Sequence, residues 1–146
     1  MAVTHSINLD IPSISDYVAV ARLSVSGVAS RLDFPIDDIE DIKIAVSEAC
    51  TNVVQYAYND PGQGRIYLTY NIHPDKLEII VTDKGGGFDI KNPASEKRQV
   101  ELDSPVINLG LGLTFIESLM DEMKVDSKQG SGTTLKMAKY RPKARK

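Results

Sequence analysis

Two runs of alternating apolar residues, joined by a tight turn, constrain the fold of this chain more than any other feature. The first run places apolar side chains at every second position: Ile66, Leu68, Tyr70 and Ile72. The second run covers residues 77–82, and the turn between them is His73-Pro74-Asp75-Lys76. Strands joined by so short a turn pair antiparallel, so the sheet is not the all-parallel kind that a dinucleotide-binding fold needs.

Apolar periodicity elsewhere predicts one further strand and two helices before this hairpin. Apolar and polar side chains alternate over residues 5–10, and Pro12 comes soon after, which predicts a short strand. Apolar residues at three- and four-residue steps predict helices over 15–32 and over about 37–58. Asp37 and Glu40 have the spacing of a capping box that would open the second of these helices.

After the hairpin, the pattern predicts a long loop, one helix and two closing strands. Residues 88–109 contain two prolines and many charges without a sustained period, and we interpret them as a lid over a functional site. The third helix is predicted over 111–124, with strands at 125–126 and 133–140.

Composition excludes several classes of protein. With 146 residues, the chain has the length of one domain, and its net charge of -3 argues against a general nucleic-acid-binding surface. No apolar run approaches the roughly 20 residues of a membrane span, and the first ten residues lack the pattern of a signal peptide, so we expect a cytoplasmic protein. Cys50, the only cysteine, is interpreted as a core residue, and the basic tail 141–146 as a solvated terminus.

Two polar residues in the second predicted helix are candidates for chemistry. Glu48 and Asn52 are four residues apart, so their side chains lie on one helical face. A carboxylate can act as a general base, and an amide oxygen can bind a metal ion. The two residues could therefore perform one task each, and neither could perform both.

Two glycine-containing segments complete the pattern. Asp83-Lys84-Gly85-Gly86-Gly87 allows the backbone to approach a nucleotide closely. Gly110-Leu111-Gly112 is predicted to open the third helix, where free N–H groups favour phosphate. Each segment alone is weak evidence, but their order after Glu48 and Asn52 predicts an ATP site.

In this order, the segments resemble the N box and the two glycine boxes of the GHKL ATPase and kinase superfamily. The stretches 22–31, 39–52 and 119–122 closely resemble the RsbW-type anti-sigma-factor serine kinases, and the resemblance covers about residues 7–140. It implies an α+β fold of the Bergerat type, a two-layer sandwich. In that fold, helices cover one face of a mixed, largely antiparallel sheet and a flexible lid closes over ATP.

The resemblance also implies an activity and partners. Members of this family form homodimers and hold an alternative, general-stress-type sigma factor away from RNA polymerase. With Mg-ATP, they phosphorylate a serine of a small anti-anti-sigma (STAS-type) protein. Neither membrane nor direct nucleic-acid binding is expected. Two alternatives stay open: a binding-only anti-sigma protein that uses ATP as a structural ligand, and a detached histidine-kinase-like ATPase domain.

Roles for individual residues follow from the same resemblance. Asn52 would bind Mg²⁺ and Glu48 would be the general base. Asp83 would accept the adenine amino group, with Gly85 in the same loop and Gly87 allowing the base to approach.

Five other positions have an implied role. Gly110, Leu111 and Gly112 would offer backbone N–H groups to the phosphates, and Arg22 would lie near the partner-binding face. A late threonine that helps to fix adenine is either Thr133 or Thr134, because alternation turns only one of them inward.

The chain departs from the family pattern at a few positions. Tyr56 stands where close relatives carry histidine, and Asn108 stands where some sporulation-type relatives carry arginine. If the transferring phosphate needs a cation from the lid, Lys97 and Arg98 are the nearest candidates, although a solvated charge pair explains them equally well.

Overall fold

The computed structural model describes residues 3–58, 63–86, 105–128 and 130–142, and for 105–109 it describes the backbone alone. Within these ranges, five strands form one sheet in the order β1-β2-β3-β5-β4. Their bounds are β1 His5–Pro12, β2 Arg65–Ile72, β3 Lys76–Asp83, β4 Glu122–Lys128 and β5 Gly132–Tyr140. All four described pairings are antiparallel, and the predicted α+β class is confirmed.

Three helices pack on one face of the sheet and give the molecule two layers. They are α1 Val18–Arg31, α2 Ile36–Asn52 and α3 Pro105–Leu119. A 3-10 turn, Ser15–Tyr17, precedes α1, and a π-helical turn, Val53–Ala57, continues α2. The predicted helices over 15–32 and 37–58 are therefore confirmed to within two residues at their ends.

The core lies between the helices and the inner face of the sheet, because alternate strand residues point to that side. Its fully buried members from β2 and β3 are Ile66, Leu68, Tyr70, Leu77 and Ile79. Outer-face positions that pair across the sheet, such as Asn8 with Thr69, carry mostly polar side chains. The predicted hairpin is confirmed, and the His73 N–H donates to the Lys76 carbonyl at 2.9 Å to close its turn.

Cys50 is a core residue, as the sequence interpretation predicts. Cys50 is fully buried in α2, and burial raises the pKa of its thiol to about 12, so the thiol stays protonated at neutral pH. The helices in the described ranges include none that is long and apolar enough to cross a membrane.

The capping box predicted at Asp37 and Glu40 is wrong. Pro35 is the N-cap residue of α2, and no side chain accepts a hydrogen bond there. Pro35 has an extended backbone, with φ −60° and ψ 158°, that leads directly into the helix at Ile36. Asp37 therefore lies in the first turn, where its charge favours the positive end of the helix dipole.

Both predicted ends of the third helix are also wrong. The helix begins at Pro105, so residues 105–109 are helical and do not belong to the predicted 88–109 lid; residues 88–104 lie outside the described ranges. Proline suits the first helical position because its φ angle is preset and its missing N–H has no helical partner to lose. The helix ends at Leu119, and pairing with β5 draws residues 122–124 into β4.

Candidate functional site

A cleft lies where the end of α2 and its π-helical turn meet the ends of β3 and β5. Its empty space is about 480 Å³, including the part that opens to solvent. The cleft is mostly apolar, with polar groups at Asn52, Asp83 and Thr133. Its lining residues are Ala49, Asn52, Val53, Tyr56, Ala57, Val81, Asp83, Leu113, Thr133 and Leu135.

Asp83, the last residue of β3, forms one polar end of the cleft. Its side chain is buried, with 6% of the residue exposed, and its Oδ1 accepts a 2.9 Å hydrogen bond from the Gly85 N–H. Burial raises the pKa of the Asp83 carboxyl above its ordinary value, and hydrogen bonds from the backbone N–H groups of Gly85 and Thr133 oppose that rise. The arrangement leaves a buried carboxylate that can accept a further hydrogen bond from a ligand.

The loop after Asp83 packs directly against the π-helical turn. A Cβ on Gly85 would overlap the carbonyl oxygen of Ala57, and the Gly86 N–H donates to that same oxygen at 2.9 Å. Glycine at position 85 is therefore required by the close approach of two backbones. Gly87, the other predicted nucleotide contact in this loop, lies outside the described residues.

The pairing of β3 with β5 distinguishes the two candidate threonines. Thr133 is paired with Asp83 and lines the cleft, whereas Thr134 is paired with Thr82 and points to the opposite face of the sheet. The Thr133 hydroxyl is 2.6 Å from the Ser127 hydroxyl of β4. The structure thus brings Thr133, and not Thr134, to the site.

Glu48 and Gly112 converge on Asn52, which lines the cleft. Asn52 is 8% exposed, and Glu48 is half-buried one turn before it on the same helix. A Cβ on Gly112 would lie 2.8 Å from Glu48 Oε2 and 3.2 Å from Asn52 Oδ1. Helix α3 therefore packs on α2 at the predicted catalytic pair, and only a residue without a side chain leaves those two groups undisturbed.

Gly110, Leu111 and Gly112 do not open the helix, contrary to prediction. They lie inside α3, whose first residue is Pro105, and there each N–H ordinarily donates to the carbonyl four residues earlier. Two glycines do not break the helix, since each costs only about 1 kcal/mol relative to alanine and α3 packs on α2. As placed, these amides are not free for phosphate, and the Leu111 side chain is 64% exposed.

Among the remaining candidate residues, the structure describes Arg22 and Tyr56. Arg22 is half-buried on α1 and donates from Nη1 to the Ser47 hydroxyl at 3.4 Å, which places it beside the residue that precedes Glu48. Tyr56 lines the cleft. Lys97 and Arg98 lie outside the described residues.

The sequence interpretation missed two residues that hold the site together. Tyr58 hydrogen-bonds to the backbone of Lys84 and of Arg65, and Ser127 contacts Thr133. No local pattern marks either residue, because their partners become neighbours only when separate segments of the chain pair. The one available signal was the position of Tyr58 at the predicted end of the second helix, directly before a turn sequence.

The described residues of the cleft do not by themselves form a complete coordination shell for Mg²⁺. In the described ranges, no group of three or more His, Cys, Asp and Glu side chains could hold a metal. Mg²⁺ commonly takes one or two protein oxygens and completes its shell with water and nucleotide phosphates. Asn52 can supply one such oxygen, and its buried Nδ2, from which no described residue accepts a hydrogen bond, can donate to a phosphate oxygen beside the cation.

Known proteins resemble this chain over nearly all of its length. The family described as histidine kinase-like ATPase domain matches residues 11–139. Serine-protein kinase RsbW of Bacillus velezensis is 47% identical over 137 residues, which cover 92% of this chain and 84% of that protein. Serine-protein kinase RsbW of Halalkalibacterium halodurans is 45% identical, with coverage of 93% and 83%.

A solved structure shows the same fold. The crystal structure of the RsbU and RsbW domains of Rv1364c from Mycobacterium tuberculosis superposes with a TM-score of 0.68 at 20% identity. The superposition covers 95% of this chain and 34% of the solved one. The resemblance inferred from the N box and glycine boxes is confirmed, and this chain belongs to the histidine kinase-like ATPase family and, within it, to the RsbW serine-protein kinases.

Proposed function

We propose that this chain is a Mg-ATP-dependent serine-protein kinase that also binds a sigma factor, with residues 1–146 acting as one domain. The observation that carries the proposal is the convergence of Glu48 and Gly112 on Asn52, which lines the same cleft as buried Asp83. Such a cleft offers a base-recognition end and a reaction end, which is the arrangement that a nucleotide with reactive phosphates requires.

At the recognition end, Asp83 accepts a hydrogen bond from the adenine amino group, while Thr133 adds a hydroxyl beside it. The apolar walls provided by Val81, Leu113 and Leu135 favour a flat base over water. This end selects adenine, because guanine presents a carbonyl oxygen where adenine presents its amino group, and two acceptors repel each other.

At the reaction end, Asn52 and Glu48 divide the work. Mg²⁺, when bound, would neutralise phosphate charge and hold the phosphates in position, with Asn52 as a protein ligand. Glu48 accepts the proton of the substrate serine as the serine oxygen bonds to the γ-phosphorus. The bond from that phosphorus to the bridging oxygen of ADP breaks in the same step. The products are phosphoserine and ADP.

Gly110, Leu111 and Gly112 contribute to the phosphate end in two ways. Gly112 leaves space for the Glu48 and Asn52 side chains, as its close approach to both requires. The backbone N–H groups of all three residues become available to phosphate only when the first turns of α3 unwind, because intrahelical hydrogen bonds occupy them in the helix.

The biological setting is part of the proposal. The protein substrate is an anti-anti-sigma protein of the STAS type, and the sequestered partner is a general-stress-type sigma factor. We expect a homodimer in the cytoplasm, where sigma factors meet RNA polymerase. Arg22, on the α1 side that reaches α2 at Ser47, is the candidate partner contact.

Transfer of labelled γ-phosphate from ATP to a candidate anti-anti-sigma protein tests the enzymatic part. A parallel capture experiment with ATP or ADP tests the exchange of partners, with mass spectrometry of what is retained. We expect the captured protein to retain a sigma factor in the presence of one nucleotide and the anti-anti-sigma protein in the presence of the other. Retention of a sigma factor without any phosphoryl transfer would favour the binding-only alternative.

Replacing Asn52 by alanine should weaken ATP binding by roughly tenfold in the presence of Mg²⁺, because the bound cation loses a protein oxygen. Without Mg²⁺, the variant and the wild-type protein should bind ATP almost equally. Titration of a fluorescent ATP analogue with magnesium or with a chelator measures both values. Asn8→Ala is the matched control, since Asn8 hydrogen-bonds to Thr69 on the exposed outer face. An equal loss under both conditions would remove Asn52 as a metal ligand.

Replacing Asp83 by asparagine should weaken ATP binding by roughly 10- to 150-fold, which corresponds to the loss of a charge-assisted hydrogen bond to adenine. The free energy of unfolding at pH 7 should not fall. Burial raises the folded-state pKa of Asp83, so its contribution to stability is greatest below its unfolded pKa and decreases as pH rises through the folded pKa.

Calorimetric titration measures the ATP affinity, and chemical denaturation measures the free energy of unfolding. Asp10→Asn is the control, because Asp10 pairs with Arg65 on the exposed face, away from the cleft. Unchanged ATP affinity in Asp83→Asn would show that adenine is recognised elsewhere.

A further inference from the structure

The hydroxyl group of Tyr58 joins three separate segments of the chain next to the recognition end of the cleft. Tyr58 follows the π-helical turn and has an extended backbone, with φ −120° and ψ 143°. Its hydroxyl donates to the carbonyl oxygen of Arg65, in β2, at 2.7 Å. The Tyr58 hydroxyl oxygen in turn accepts a hydrogen bond from the Lys84 N–H, in the loop after β3, at 3.0 Å. A single polar atom thus ties the residue after the π-helical turn to β2 and to the loop after β3.

The position of this hydroxyl is fixed by the packing of its ring. Gly64 has φ +84°, in the left-handed region that glycine adopts readily, and a Cβ there would overlap the Tyr58 ring. The ring therefore lies against the bare backbone at Gly64. This contact limits where the ring, and with it the hydroxyl that meets Lys84, can lie.

The backbone group held by Tyr58 lies between two residues of the nucleotide site. Lys84 separates Asp83, whose carboxylate faces the cleft, from Gly85, whose N–H donates to that carboxylate. On the other side of the loop, the Gly86 N–H donates to Ala57, the residue before Tyr58. Two neighbouring residues at the end of α2 thus fix the loop that presents Asp83.

We propose that Tyr58 is a positioning residue for the recognition of adenine: its hydroxyl holds the Lys84 amide, and with it the Asp83 carboxylate, in the geometry that accepts the adenine amino group. This inference rests on the proposed nucleotide site. Tyr58 acts through the loop and is not among the residues that line the cleft.

The test compares Tyr58→Phe with Tyr140→Phe. Both changes remove one hydrogen-bonded hydroxyl and keep the ring, but Tyr140 donates to Glu122 at the far end of β5 and β4. For Tyr58→Phe, the dissociation constants of ATP and ADP should rise roughly three- to tenfold, which corresponds to the loss of about one hydrogen bond. The preference for ATP over GTP should decrease by the same factor, because only adenine binding depends on Asp83. Tyr140→Phe should match the wild-type protein in nucleotide affinity and in the preference for ATP over GTP.

Kinetics and hydrogen exchange separate positioning from a general loss of structure. In phosphoryl transfer, Tyr58→Phe should raise the KM for ATP and leave kcat at saturating ATP unchanged, because the loop contacts the base and not the reacting phosphate. The Lys84 amide should be protected from exchange in the wild-type protein without nucleotide, and should exchange faster in the variant.

The outcomes separate this inference from the proposed function. If the wild-type protein binds neither ATP nor ADP, the proposed function fails together with this inference. If it binds them and Tyr58→Phe binds them equally well with the same preference for adenine, the positioning role alone is overturned. An unprotected Lys84 amide in the wild-type protein overturns it as well, independently of how the variant folds.

Discussion

Replacing Glu48 by glutamine is expected to slow phosphoryl transfer by roughly 10²- to 10⁴-fold, because the amide keeps the shape of the side chain but cannot accept the serine proton. ATP binding should change by less than about threefold, since the proposed metal ligand is Asn52 and a half-buried glutamine keeps the packing against Gly112. Sigma-factor binding should survive. A chemical-quench measurement of a single turnover reports the transfer step, and equilibrium titration reports ATP affinity.

Glu40→Gln provides the matched control on the same helix. Glu40 forms an exposed ion pair with Lys43 at 2.9 Å, and exposed pairs of this kind contribute little to stability. Its transfer rate should equal that of the wild-type protein. If Glu48→Gln transfers phosphate as fast as this control does, another group accepts the proton and the proposed mechanism is wrong.

Replacing Gly85 by alanine should have a large effect for the addition of a single methyl group. The added Cβ would overlap the Ala57 carbonyl oxygen, a backbone atom that cannot move aside as a flexible side chain can. Relief of the overlap requires the loop to leave the π-helical turn, which also moves the N–H that donates to Asp83. We expect ATP affinity to fall more than tenfold, and the free energy of unfolding to fall by about 1–3 kcal/mol, as in other overpacked sites.

The neighbouring glycine supplies the comparison for this substitution. A Cβ on Gly86 would have no atom within 4 Å among the described residues, so Gly86→Ala adds the same methyl group without the overlap. Its ATP affinity and unfolding free energy should remain close to those of the wild-type protein. Equal losses in both variants would mean that loop flexibility, and not the approach to Ala57, is what the glycines provide.

The features that could be predicted from sequence are those whose causes are local. The hairpin was predicted because its alternation and its turn residues lie within one short stretch, and α2 because its apolar stripe recurs without interruption. Glu48 and Asn52 could be assigned to one helical face for the same reason. The order of the N box and the two glycine boxes indicated the family, which no single residue could have indicated.

The features that could not be predicted from sequence depend on contacts between distant segments. Alternation shows that one of Thr133 and Thr134 points inward, but only the register between β5 and β3 decides which. Glycines 110 and 112 suggested a helix start, yet packing of α3 on α2 keeps them helical. Tyr58 and Lys84 are 26 positions apart, and no local pattern joins them.

The strand order has a consequence for how the protein is made. β5, the last strand in chain order, lies between β3 and β4, and it carries Thr133 and Leu135 to the cleft. During synthesis, the proposed nucleotide site therefore remains incomplete until this strand has left the ribosome and inserted beside β3. Contacts between segments so far apart in sequence form slowly compared with those of a helix. Nucleotide binding thus reports that the whole sheet has assembled, and a chain interrupted before β5 would present neither a finished sheet nor a competent kinase.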